Sequence, residues 1–151
     1  MYTDRLKGYK YALIDKDLAY NPDMVIETNL STEAGFSAAD KILQMDMLPD
    51  GIFVSNDACS VSVMQALKQA GIFIAKDIAV VGFNNDLVSK IVEPNLTTVN
   101  NPGLEMGEVA AQNLINHLNG TNNINTINTI ILRSELVIRK SSLRHSVSSA
   151  K

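Results

Sequence analysis

The chain has 151 residues, the size of one ordinary domain, and its apolar fraction of 46% places it among globular proteins able to bury a core. Net charge is -3 with a pI near 5.3, and no long run of like charges occurs, so neither a polyanion-gripping face nor an acidic tail is indicated. The single Cys59 excludes an internal disulfide and fits a reducing cytoplasm, and no apolar run approaches the ~18 residues of a membrane span.

The opening "MYTDRLKGYKYAL" enters a helical pattern at once, with no strand or leader before it, and reads as the middle of a longer protein. Leu6, Tyr9 and Leu13 define a helix from about Thr3 to Lys16, with Asp4 in its first turn. "DMVIETN" reads as a short strand. Ser31 is a good N-cap, and Ala34, Ala38, Ile42 and Met45 trace the stripe of the helix behind it. The apolar run Ile52 to Val54 leads into Ser55, Asn56 and Asp57, where a helix begins that carries Val61, Met64 and Leu67 and stops at Gly71. "IAVVGF" is continuous in apolar character, as parallel strands covered on both faces are. Pro94 and Pro102 flank a short strand at Thr97 to Val99, and a helix from about Pro102 to Leu118 closes at Gly120. "TNNINTIN" is a polar loop, "TIILRSELVIRKSS" supplies two short strands broken near Arg133 and Ser134, and "RHSVSSAK" is a frayed tail.

Strands alternating with helices predict an α/β fold with a parallel sheet, formed as a three-layer lobe. In such sheets ligands bind beyond the carboxyl ends of the strands. Asn56-Asp57 and Asn84-Asn85 therefore share one rim. A structural role competes for the same residues: Asp57 can cap a helix, and Asn84 to Asp86 can simply turn the chain. His117 and His145 make no metal-ligand spacing, and there is neither a phosphate-binding glycine loop nor a Gly-x-Ser-x-Gly turn. No cofactor, metal or enzyme chemistry is indicated.

In order, "RLKGYKYAL", "DGIFVSNDACSVSVMQALKQAGIFIAKDIAVVGFNND", "EPNLTTVNNPGLEMGEVAAQNLI" and "SELVIRKSS" resemble the effector-binding region of LacI-family bacterial transcription regulators over nearly the whole chain. The resemblance implies a type I periplasmic-binding-protein-like module of two α/β lobes. Residues 1–151 would be its C-terminal lobe, with hinge-crossing segments around 97–137. The DNA-binding domain and most of the first lobe would lie outside this sequence.

The resemblance carries effector contacts to Arg5, Asn56, Asp57 and Asn84. Leu30 falls where several sugar-binding members present an aromatic ring, and Asn101 replaces a commoner Gln near the hinge. A dimer interface maps to Val61, Met64, Ile91 and Val92, the last two in a stretch that reads as loop. The partners implied are a small effector such as a sugar, a second copy of the chain, and operator DNA through the DNA-binding domain, all in the cytoplasm and away from membranes. A stand-alone solute-binding protein of the same fold is the alternative, and an α/β enzyme a distant third.

Overall fold

A computed structural model describes residues 2–120 and 129–144. The "TNNINTIN" loop, His145 and the tail after it lie outside the described residues. Helix α1 covers Tyr2–Ile14 and ends through Asp17, whose φ of 55° is left-handed; the Leu18 N–H then reaches back to the Leu13 carbonyl at 2.9 Å. A 3-10 turn follows at Pro22–Met24, capped by the Asn21 side chain, which accepts from the Asp23 N–H at 2.9 Å. No strand forms where "DMVIETN" predicts one. Its apolar signal comes from Ile26, which packs on the core from an extended segment that has no ladder partner.

Helix α2 spans Thr32–Leu43, with the Ser31 hydroxyl accepting from the Ala34 N–H at 3.1 Å. Strand β1 is Gly51–Phe53 and helix α3 is Asp57–Gln69. Helix α3 closes at Gly71 (φ 84°), where the Ile72 N–H bonds the Leu67 carbonyl at 3.0 Å, the stop expected from sequence. Strand β2 is Ala79–Asn84, helix α4 Leu87–Ile91, strand β3 Thr97–Asn100, helix α5 Gly103–Leu118 and strand β4 Glu135–Val137. Only one strand forms in "TIILRSELVIRKSS".

The sheet runs β1-β2-β3-β4. The first three strands are parallel, in registers Phe53↔Val81 and Asn84↔Asn100, and β4 adds antiparallel to β3. The fold is thus α/β with a mostly parallel sheet. The core lies between the sheet and the α2–α3 pair: Ala39 and Ile42 meet Val63, Met64 and Leu67, which rest on Val80 and Leu96. The two helices approach closely at Gly35, where a Cβ would come within 2.7 Å of the Ser62 Cβ.

Burial along β2 alternates: Val80 and Gly82 are buried beneath α3, while Val81 and Phe83 are half-buried on the opposite face. Cover on both faces, expected from the apolar run, is therefore incomplete among the described residues. Helix α5 buries none of its residues, and Leu104 stays 80% exposed.

Candidate functional site

Parallel register sets the carboxyl ends of β1, β2 and β3 along one edge. From that edge rise Ser55 and Asn56, the turn Asn84 to Asp86, and Asn100. Arg5 reaches it from α1: its Nη1 donates to the Ser55 carbonyl at 2.9 Å, and its guanidinium carbon stands 3.7 Å from the centre of the Phe83 ring. Ring and backbone together hold the charged group at the sheet edge.

Asn56 is the N-cap of α3, its side-chain oxygen accepting from the Cys59 N–H at 3.1 Å. Asn84 has a φ of 120°, and its side-chain nitrogen lies 3.4 Å from the Asp86 carboxylate. Asn85 is left-handed too, at φ 59°. Two consecutive residues in this region are uncommon outside glycine, and Asn is the side chain that tolerates it best.

Asp57 is fully buried, which differs from the expectation that its carboxylate faces a ligand. One oxygen accepts from the Thr98 hydroxyl at 2.7 Å and the other from the Asp86 N–H at 2.8 Å. The group lies directly over Gly82, where any Cβ would collide with it. Removing a carboxylate from water is tolerable only with such partners, and here they fix the turn beside Asn84.

Leu30, at φ 61°, packs against the core. Asn101 lines a separate depression of about 350 Å³ with Met106, Val109 and Leu132. The structure therefore brings Arg5, Asn56 and Asn84 to one edge and joins neither Leu30 nor Asn101 to them by a hydrogen bond.

Of the expected interface residues, Met64 is corrected to the core, with no exposed surface, because it sits on the α3 face that meets α2 and the sheet. Val92 is half-buried against the same core and Val61 is half-buried. Ile91 ends α4 rather than lying in a loop, and is 71% exposed.

Sequence reasoning put Asn85 on the rim without a partner, and missed Arg139, Thr98 and Asn100. The Asn85 N–H reaches Thr98 Oγ1 at 3.3 Å, its side-chain nitrogen donates to Asn100 at 3.0 Å, and its side-chain oxygen accepts from Arg139 at 2.6 Å. The signal available was a pair of threonines at positions patterned for burial, and an arginine directly after "LVI". Burial pushes the Cys59 thiol pKa up, which keeps it protonated and unreactive. No cluster of three or more His, Cys, Asp or Glu side chains able to hold a metal forms among the described residues.

Polar side chains thus converge on the carboxyl edge of a parallel sheet, the place where open α/β sheets hold ligands. Comparison with known proteins agrees. The periplasmic binding protein-like domain matches residues 2–142. The HTH-type transcriptional repressor PurR of Vibrio cholerae serotype O1 is 33% identical over 115 residues, 76% of this chain and 34% of that protein. A solved transcriptional regulator LacI of Bacillus cereus subsp. cytotoxis superposes with a TM-score of 0.87 at 28% identity, covering 96% of this chain and 51% of the other. The transcriptional regulator CelR–cellobiose complex superposes at 0.81 with 27% identity, covering 92% and 42%. The chain belongs to the periplasmic-binding-protein-like family, and the similar proteins are named as transcriptional repressors and regulators. It spans about a third of the length of the curated relatives it matches.

Proposed function

We propose that residues 1–151 form the C-terminal lobe of the effector-sensing region of a cytoplasmic, non-enzymatic transcriptional regulator. The observation that carries this is the meeting of Arg5, Asn56 and Asn84 on one sheet edge. A guanidinium and two carboxamides offer donors and acceptors side by side, the combination that hydroxyl-rich ligands such as sugars need. The named similarity to a cellobiose-bound regulator supports that ligand class. Leu30 and Asn101 border the ligand from farther out, as a wall and at the lobe junction. Asp57 serves from beneath by holding the turn.

Operator DNA is bound through a DNA-binding domain outside this sequence, a reading supported by relatives named as helix-turn-helix repressors. Two copies associate through the surface around Ile91 and Val61. The regulator reading is tested in a protein carrying the DNA-binding domain. Operator affinity that responds to a small molecule in the wild type, and no longer responds in Asn84→Ala or Arg5→Ala, supports it. A response untouched by either substitution overturns the site.

A further inference from the structure

Arg139 arrives at the site from the opposite end of the chain, two residues after β4. Its Nη1 donates to Ser89 Oγ at 3.0 Å and to the Leu96 carbonyl at 2.8 Å, while Nη2 donates to Asn85 Oδ1 at 2.6 Å. All these acceptors are neutral. The ion pairs among the described residues leave Arg139 without a carboxylate partner. Its charge, half-buried, is therefore satisfied by the β2–α4 turn and the entry to β3. Hydrogen bonds from an ionised donor are roughly twice as strong as neutral ones, so these bonds constrain whatever accepts them.

One of them reaches the left-handed pair, at the Asn85 side chain. Asn85 is gripped at its backbone N–H by Thr98, at its side-chain nitrogen by Asn100 and at its side-chain oxygen by Arg139. The next N–H, of Asp86, is held by Asp57. Asn84, immediately before, has a φ of 120° that costs energy for any residue with a Cβ. A strained backbone persists where its surroundings over-determine it, and within the turn from Asn84 to Asp86 it is the Asn85 side chain that Arg139 hydrogen-bonds.

We propose that Arg139 is the positioning residue of this site: through Asn85 it sets the backbone turn on which Asn84 is presented. The proposal rests on the reading of Asn84 as a ligand contact. Its test uses no ligand, so its outcome is independent of whether the rim binds one.

Amide exchange at Asp86, divided by exchange at Val54, whose N–H bonds the Val81 carbonyl of β2 at 2.8 Å, reports the turn separately from global stability. In Arg139→Gln the ratio rises about tenfold through local opening, and the Asn84 side-chain amide resonance moves. Arg139→Lys, which keeps one donor, restores part of the protection. In an Asn85→Gly background, where the backbone conformation is permitted but the acceptor is gone, Arg139→Gln adds nothing further. A core variant of comparable instability, Ile42→Ala, leaves the ratio unchanged. A ratio unaffected by Arg139→Gln, or an effect that adds in full to that of Asn85→Gly, overturns the proposal.

Discussion

Asp57 and Thr98, 41 residues apart and both without exposed surface, share a 2.7 Å hydrogen bond that ties the first turn of α3 to β3. Thr98 Oγ1 is also the acceptor for the Asn85 N–H. One hydroxyl thus bridges the carboxylate and the turn. Thr98→Val keeps the shape and removes the bridge, leaving a buried carboxylate oxygen and a backbone N–H unsatisfied. The expected cost is about 3 kcal/mol, at the upper end for one lost partner because the acceptor is ionised. Urea unfolding checks it, and a loss under about 0.5 kcal/mol contradicts the bridging role.

Gly82→Ala is expected to be at least as damaging. A Cβ there collides with the Asp57 carboxylate and lies 2.9 Å from Leu96 Cδ2 and 3.0 Å from Ser60 Oγ. All three neighbours are fully buried, so none can swing into solvent. The denaturation midpoint should fall by the equivalent of more than ~2 kcal/mol, as overpacking does in tight cores. A variant as stable as the wild type would mean that the sheet and α3 are packed less closely here.

Cys59 is 2% exposed and its pKa is raised by burial. The folded chain should react with a thiol reagent at pH 8 only as it opens, and at once in denaturant. The same shift fixes a pH trend. Below the ordinary value of 9.0 the thiol is protonated in both states and costs no stability. As pH rises past that value the unfolded chain loses the proton first, so stability declines. Fast labelling of the native chain, or stability rising with pH through that window because of Cys59, contradicts the burial.

The proposed dimer surface reduces to Ile91 and its surroundings, because Met64 is core and Val92 leans on it. Ile91→Asp places a charge on an exposed position and should leave the fold intact. Sedimentation at tens of micromolar is expected to show a wild-type dimer and a largely monomeric variant. Monomeric wild type, or a dimer indifferent to the charge, removes the interface.

What could be read from the chain and what could not divide by distance along it. Ser31 and Gly71 mark helix ends through local bonds three to five residues away, and both are seen where expected. The segment after Met24 misleads because burial of Ile26 mimics a strand, while pairing depends on neighbours that apolar character does not encode. At the site, one residue separates roles that look alike in sequence: Asn56 caps α3, and Asp57 points inward. Met64 carries the helical stripe expected of an interface, yet it lies on the α3 face that packs into the core. For Thr98 and Arg139 the chain offers only the burial pattern of two threonines and an arginine after "LVI", which names no partner, since those partners lie 41 and 54 residues away.

The edge formed by Arg5, Asn56 and Asn84 is proposed here as half of an effector site. On the proposed division of the site between two lobes, binding by these residues alone should be no tighter than millimolar, about -4 kcal/mol. Amide resonances of the chain titrated with cellobiose and with ribose to about 100 mM, well above such a dissociation constant, provide the direct measurement. Weak, saturable shifts confined to Arg5, Ser55 to Asp57 and Asn84 to Asp86 are expected with at least one of the two sugars. Shifts centred elsewhere, micromolar binding to the isolated chain, or no response at that edge to either sugar would contradict that proposal.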